Sequence, residues 1–331
     1  MENKCLMVGG QAVIEGVMMR GPKLVATAVR EPSGKISVQT KPVNSIGDRY
    51  PILKKPMLRG VVSLGESLVL GIRSLSYSAQ MAGEEEEQLT DKELAGTIAF
   101  AFLMAAVLFV AIPTGAAKLF HFVTEDPVFL NLMEGVLRLG IFLAYIFGIS
   151  RMKDIRRVFQ YHGAEHKTIH AFEAGGPLTV ENVQRFSTLH PRCGTAFLLI
   201  VMVVSIFVFA FLGWPDLWLR ILSRVILLPV VAGISYEIIR FAGRTENPLM
   251  KKAILPGLWL QKLTTNQPDD EMVEVAIRSL AAVLPPEELE RVGGLQLPVE
   301  EDAVGETAAA ASAAGPEKEA ALSEAALAGK N

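Results

Sequence analysis

The chain has 331 residues, of which 50% are hydrophobic and 20% are charged, and its formal net charge is −3. This charge, with no cluster of Lys and Arg among aromatic residues, argues against a nucleic-acid-binding protein. The apolar residues are concentrated in long runs, which predicts an integral membrane protein rather than a soluble one. Two cysteines, Cys5 and Cys193, are too few and too far apart for a disulfide framework.

Residues 1–55 are predicted to be a cytoplasmic segment that contains a β-hairpin. The β-prone stretches 24–29 and 36–40 flank a Pro-Ser-Gly turn signal. Before them, glycines punctuate residues 9–22, where Glu15 and Arg20 stand among apolar residues. Such a glycine-rich backbone indicates close approach to another element or to a ligand.

Residues 56–93 are predicted to be an amphipathic interfacial helix followed by an acidic linker. Arg59, Glu66 and Arg73 recur every seven residues, so a helix places them near one stripe. This pattern favours a helix that lies on the membrane surface or packs on other helices over one that spans. The acidic run at 84–87 follows it.

Residues 94–241 are predicted to form a membrane domain of four helices. The charge-free runs 94–117 and 194–213 are long enough to cross a hydrocarbon core of about 30 Å. The stretch 129–150 contains Glu134 and Arg138 one helical turn apart, where they can pair. The fourth stretch, 217–241, has charged residues near both ends and an apolar middle.

Positive charge predicts the orientation of these spans. The segments after the second and fourth spans are rich in Lys and Arg, whereas the loops after the first and third are poor in them. Both termini and the loop 151–193 are therefore predicted to lie in the cytoplasm. The segment 242–296 would contain an amphipathic helix at 272–283, and the Ala- and Glu-rich stretch 297–331 a disordered tail.

The densest chemical signal is YHGAEHKTIHAFE at residues 161–173. His162, His166 and His170 recur every four residues and share one helical face with Glu165 and Glu173. His162 to His166 reads H-x-x-E-H, the inverted zincin pattern, in which two imidazoles bind zinc and the Glu is the general base. The same face would also suit the solvated side of an interfacial helix.

Three more side chains are predicted to reach the same membrane level. His190 and Cys193 lie at the entry to the third span, and Glu237 lies near the cytoplasmic end of the fourth. We expect His190 or Glu237 to complete a divalent metal site, zinc by preference, with His162 and His166. His170 and Glu173 would orient an imidazole, with Cys193 as an alternative ligand. Cys193 could instead be a packed residue, and Glu237 could pair with Arg240 or Arg244.

Five separated blocks resemble the bacterial YqhQ family. They are GGQAVIEGVMMRGP, YHGAEHKTI, HPRCGTAFL, ISYE and PGLWLQKLTT, in this order, and the resemblance runs from about residue 4 to 284. Members of that family are described as predicted metal-dependent membrane enzymes. The resemblance implies location in the bacterial plasma membrane and a metal site at His162, Glu165, His166 and His190. It implies no particular substrate.

The sequence therefore leaves three functional hypotheses. The first is a membrane-embedded metal-dependent hydrolase that acts on a membrane-proximal peptide or lipid. The second is a non-enzymatic scaffold or assembly factor, in which the two cytoplasmic segments form a docking platform. The third is a small transporter or channel, in which charged residues inside the spans line a path.

Overall fold

The computed structural model describes residues 6–83, 90–242 and 255–293. It is mainly helical, with one antiparallel sheet of four strands in chain order: β1 (Gly9–Val13), β2 (Gly16–Arg20), β3 (Leu24–Arg30) and β4 (Ile36–Pro42). The first helices are α1 (Ile46–Arg49), α2 (Leu58–Ala82), α3 (Asp91–Ala106), α4 (Ile112–Ala117), α5 (Pro127–Ile149) and α6 (Lys153–Glu173). They are followed by α7 (Val180–Gln184), α8 (Gly194–Ala210), α9 (Leu217–Ala242), α10 (Leu255–Thr264), α11 (Asp270–Ala281) and α12 (Pro286–Arg291).

The predicted hairpin is the second half of the sheet. Strands β3 and β4 pair from Leu24↔Pro42 to Arg30↔Ile36, and Gly34 takes a φ of 87° in the turn, where glycine has no steric penalty. The first hairpin, β1–β2, was not predicted, because glycine-rich strands lack the β-branched residues that mark a strand. Its two strands pair through Val13↔Gly16 at the turn.

Helices cover both faces of the sheet. Val17 and Met19 of β2 pack with apolar residues of α6 and α11 in the larger core. Met18, on the other face of β2, packs with Leu70 and Tyr77 of α2. Because successive strand residues point to opposite faces, β2 is buried on both sides. Sheet, α2, α6 and α11 thus form one layered unit from segments far apart in the chain.

Helix α2 packs against α9 and the sheet. Packing on other helices was one of the two placements predicted for it. Two members of its charged stripe pair with residues far away in the chain. Arg59 binds Glu237 of α9, and Glu66 contacts Arg20 of β2. Gly60 allows the close crossing with α9, since a Cβ there would lie 2.7 Å from Cβ of Tyr236. The stripe therefore contacts other elements of the protein and is not wholly solvated.

Three helical segments are long and apolar enough to cross a membrane: Lys92–Ala117, Pro127–Ile149 and Trp218–Phe241. The remaining predicted span, the third one at 194–213, corresponds to α8, an apolar helix of 17 residues. Side chains such as Phe100 and Phe207, exposed by 63% and 64%, project from these helices. Exposed aromatic residues of this kind are suited to contact with lipid rather than water.

The charges inside the spans form a buried network. Glu134 is 1% exposed and accepts hydrogen bonds from Arg138 (2.7 Å), Arg224 (2.7 Å to Oε2) and the Thr114 hydroxyl (2.9 Å). The predicted Glu134–Arg138 pair is therefore present. Arg138 Nε also donates to the Phe109 carbonyl at 2.8 Å. That oxygen lacks its usual helical donor, because the residue four positions on is a proline.

Two sequence predictions fall outside the described residues: the acidic linker at 84–87 and the tail at 297–331. The predicted amphipathic helix at 272–283 corresponds to α11, which begins after an Asp269 N-cap that accepts from the Met272 N–H. Its buried face completes the larger core.

Candidate metal centre

Helix α6 carries the predicted histidines and is largely buried between the sheet and α11. His166 is 1% exposed and Glu165 4%. Gly163 lets the chain after α10 approach α6 closely, because a Cβ at position 163 would overlap the carbonyl oxygen of Asn266. This approach brings the carbonyl oxygen of Thr264 to His162. The histidine face of α6 thus points into the protein and does not form a solvated interfacial surface.

Two neighbouring groups of side chains could each hold a metal ion: His162, His166 and Cys193 in one, and His170, Glu173 and His190 in the other. Within each group the potential ligand atoms lie within 4.8 Å of one another. The rings of His166 and His190 connect the groups, with centroids 5.6 Å apart. The structure thus brings together seven of the eight predicted site residues, Glu165 included.

Glu237 is the eighth predicted site residue and lies elsewhere. Its carboxylate binds Arg59 and accepts a hydrogen bond from the Met57 N–H at 3.4 Å. It does not line the cavity described below. Of the two predicted local partners, Arg240 adds a weaker electrostatic attraction than Arg59, and Arg244 lies outside the described residues.

The first group offers two ring nitrogens and one sulfur as potential metal ligands. Nδ1–H of His162 donates to the Thr264 carbonyl (2.8 Å), and Nδ1–H of His166 donates to the Thr188 carbonyl (2.5 Å). A carbonyl only accepts, so each Nδ1 carries the proton and each Nε2 is unprotonated. The third donor is the Cys193 Sγ, 3.2 Å from Nε2 of His162. Backbone carbonyls that fix a histidine tautomer are typical of metal sites.

The second group is less suited to a metal. The Arg192 N–H donates to Nδ1 of His190 at 3.3 Å, which leaves the proton of the neutral ring on Nε2. Glu173 forms an ion pair with Arg192. His170 is the exception, because its Nε2–H donates to the Leu189 carbonyl (2.9 Å) and leaves Nδ1 free. A metal here would have to displace the proton on Nε2 of His190, which has no hydrogen-bond partner among the described residues, and compete with Arg192 for Glu173.

Burial sets the protonation states of the first group. It lowers the pKa of His166 to about 2, so this imidazole stays neutral. It raises the pKa of the Cys193 thiol to about 11, so metal binding must displace the thiol proton. Burial also raises the pKa of Glu165 to about 7, although a hydrogen bond from the Gly10 N–H acts to lower it. A carboxyl with this pKa can exchange protons near neutral pH.

A cavity of about 460 Å³ opens beside these residues. Of the predicted site residues, it is lined by His162, Glu165, His166, His190 and Cys193. Strands β1 and β2, helix α2 and the start of α8 provide its other walls. Its volume lies within the range of small-molecule sites in proteins.

Sequence reasoning missed two parts of the site. Gln261 of α10 is fully buried and binds the backbone of His190. The Gln261 Oε1 accepts a hydrogen bond from the His190 N–H, and the Gln261 Nε2 donates one to the His190 carbonyl, both at 2.8 Å. No local pattern reveals such a contact. The other part is the wall formed by residues 7–11 and Arg20. The glycine-rich opening was its signal, since a Cβ at Gly10 would lie 2.9 Å from Cγ of Glu165.

Comparison with known proteins identifies the family. The family model described as "Protein of unknown function (DUF1385)" matches residues 55–286. The chain is also 39% identical over 297 residues to "Uncharacterized protein YqhQ" of Bacillus subtilis (strain 168), covering 83% of this chain and 92% of that protein. The chain belongs to the DUF1385 family. The YqhQ resemblance drawn from the five sequence blocks is thereby confirmed. No solved structure matches the chain. The matched region of the family includes α6, Cys193 and Gln261, but not the first hairpin.

Proposed function

We propose that this DUF1385 member is a metal-dependent hydrolase at the cytoplasmic face of the bacterial plasma membrane. One observation carries the proposal: Nε2 of His162, Nε2 of His166 and Sγ of Cys193 are three donors with available lone pairs beside the buried Glu165. Nitrogen and sulfur donors suit zinc, and catalytic zinc sites use three protein ligands with one open position. Cys193 takes the place for which His190 or Glu237 was expected.

Zinc held by these three residues would supply Lewis acidity at the cavity wall. Glu165 would accept a proton from the attacking water and deliver it to the leaving group, since its pKa of about 7 permits both steps. The backbone carbonyls of Thr264 and Thr188 keep both imidazoles in the ligating tautomer. Gln261 would act as a positioning residue through the backbone of His190.

The layered unit supports four membrane crossings with both termini in the cytoplasm. The sheet, α6 and α11 pack together, so they share one side of any membrane. The sheet and α6 are separated by two long apolar segments, which return the chain to its starting side. Helices α6 and α11 are separated by α8 and α9, so α8 must cross if α9 does. The 17 residues of α8 span about 25 Å, which a slightly thinned bilayer accommodates.

This topology predicts that the turn between α8 and α9 faces the outside of the cell. A single cysteine placed at Asp216 in a cysteine-free background should react with a membrane-impermeant maleimide in intact cells. A cysteine at Glu181 in α7 should react only after the cells are opened. Equal reaction at both sites in intact cells would contradict four crossings.

The two other hypotheses draw less support from the contacts. Glu134, Arg138 and Arg224 bind one another in a closed network, which suits a structural role better than a transport path. A scaffold would need no set of histidines with fixed tautomers. The layered unit itself remains compatible with a docking platform.

Elemental analysis tests the proposal. Protein purified in detergent without chelator should contain near-stoichiometric zinc, and the double variant His162→Ala/His166→Ala should contain background levels. The matched control is Glu237→Gln, which removes a charge near the membrane but no ligand and should keep its zinc. Wild-type protein without metal, or full metal content in the double variant, would favour the scaffold.

A further inference from the structure

The cavity beside α6 has an excess of positive charge. Arg20 and Arg192 line it, whereas Glu165 is the single carboxyl among the described lining residues. The carboxylates that pair with the arginines, Glu66 and Glu173, do not line the cavity. The charge distribution therefore favours an anionic ligand.

Arg20 is loosely held and aimed at this space. Its contact with Glu66 is a single long one of 3.4 Å, and its side chain is 32% exposed. Glu66 has stronger partners of its own, the Ser45 hydroxyl at 2.8 Å and the Ile46 N–H at 2.9 Å. The guanidinium of Arg20 thus keeps donors for another oxyanion, and its planar fork matches phosphate oxygens.

Apolar residues also line the cavity, which adjoins the start of the apolar helix α8. Met7, Met18, Leu70 and Ile169 form its walls. Gly194, the first residue of the apolar helix α8, lines the same cavity. A polar phosphate site bordered by apolar walls at the start of a membrane helix suits an amphiphile more than a soluble anion.

We propose that this cavity binds the phosphate group of a membrane lipid, with Arg20 and Arg192 as its cationic contacts. The inference deepens the proposed hydrolase and rests on it for the reaction. In that reaction the water oxygen bonds to phosphorus and the bond from phosphorus to the lipid alcohol oxygen breaks. The proton that Glu165 takes from the water passes to the alcohol oxygen. For a lipid phosphomonoester such as phosphatidate, free phosphate and the lipid alcohol would be the products.

Binding measurements on full-length protein in a sugar-based detergent test the proposal. The probes are dioctanoyl phosphatidate, dioctanoylglycerol, which lacks the phosphate, and glycerol phosphate, which lacks the chains. We expect phosphatidate to bind at least about tenfold more tightly than either, and Arg20→Gln to weaken it roughly 10- to 100-fold, as loss of charge-assisted hydrogen bonds does. Arg185→Gln, at the exposed arginine that follows α7, is the matched control and should bind normally.

Each contrary result has a distinct meaning when zinc is measured on the same samples. Equal binding of dioctanoylglycerol would overturn phosphate recognition, and equal binding of glycerol phosphate would overturn the lipid source. Unchanged binding by Arg20→Gln would overturn the assigned contact. Any of these in protein that contains zinc would leave the proposed metal centre intact. Selective, Arg20-dependent binding of phosphatidate by protein without zinc would uphold the cavity's ligand and overturn the hydrolase.

Discussion

Replacing Cys193 with serine is expected to lower zinc affinity by more than about 100-fold. Loss of a residue that only orients a metal ligand costs up to about that much, and Cys193 is proposed to be a ligand itself. Serine keeps the size of the side chain and is a better N-cap, so α8 should still begin at Gly194. What it removes is the sulfur donor, which lies 3.2 Å from Nε2 of His162. Competition with a chromogenic zinc chelator measures the change.

His170→Gln is the matched control for this prediction. His170 belongs to the second group, and its Nε2–H donates to the Leu189 carbonyl. A glutamine amide can still donate to that carbonyl, so the loop should hold its position and zinc affinity should change little. The reverse pattern, normal affinity in Cys193→Ser and severe loss in His170→Gln, would move the metal to the second group.

Removing the Glu134 carboxylate is expected to cost about 3–5 kcal/mol of unfolding free energy, as for other buried ion pairs that lose one partner. Glu134→Ala leaves Arg138 and Arg224, 11% and 8% exposed, as two like charges between packed helices. It also removes the acceptor of the Thr114 hydroxyl. Unfolding of the detergent-solubilised protein by increasing fractions of dodecyl sulfate, followed by circular dichroism, measures the loss.

Glu125→Ala provides the control, because Glu125 lies exposed in the loop before α5. It should change stability by less than about 0.5 kcal/mol, the usual range for surface substitutions. If Glu134→Ala behaves like this control, the charges between the helices do not hold them together. They would then be free for another role, such as the transport path that the sequence allowed.

The features that the sequence predicted are those set by local spacing. Long apolar runs indicate α5 and α9, because a helix must satisfy its own backbone in lipid. The i, i+4 repeat of His162, His166 and His170 is enough to place them on one helical face. The turn signal around Gly34 likewise indicates the β3–β4 hairpin.

The features that the sequence did not reveal depend on contacts between distant residues. The sequence offered Arg240 and Arg244 as neighbours for Glu237, but its carboxylate binds Arg59, 178 residues away. From the sequence, Cys193 could be a small packed residue, but the structure places His162 beside it. The tautomer of His162 is set by Thr264, 102 residues later, and no periodicity records such a partner.

The order of segments in the layered unit has a consequence for biosynthesis. The sheet emerges from the ribosome first, α6 follows only after two long apolar segments, and α10 and α11 come last. The carbonyl that orients His162 and the amide that clamps His190 both lie in α10. Until that helix is made, His162 lacks the carbonyl that sets its tautomer and His190 lacks the amide that holds its backbone. The proposed metal would therefore be bound late in the life of each new chain, when translation is nearly complete.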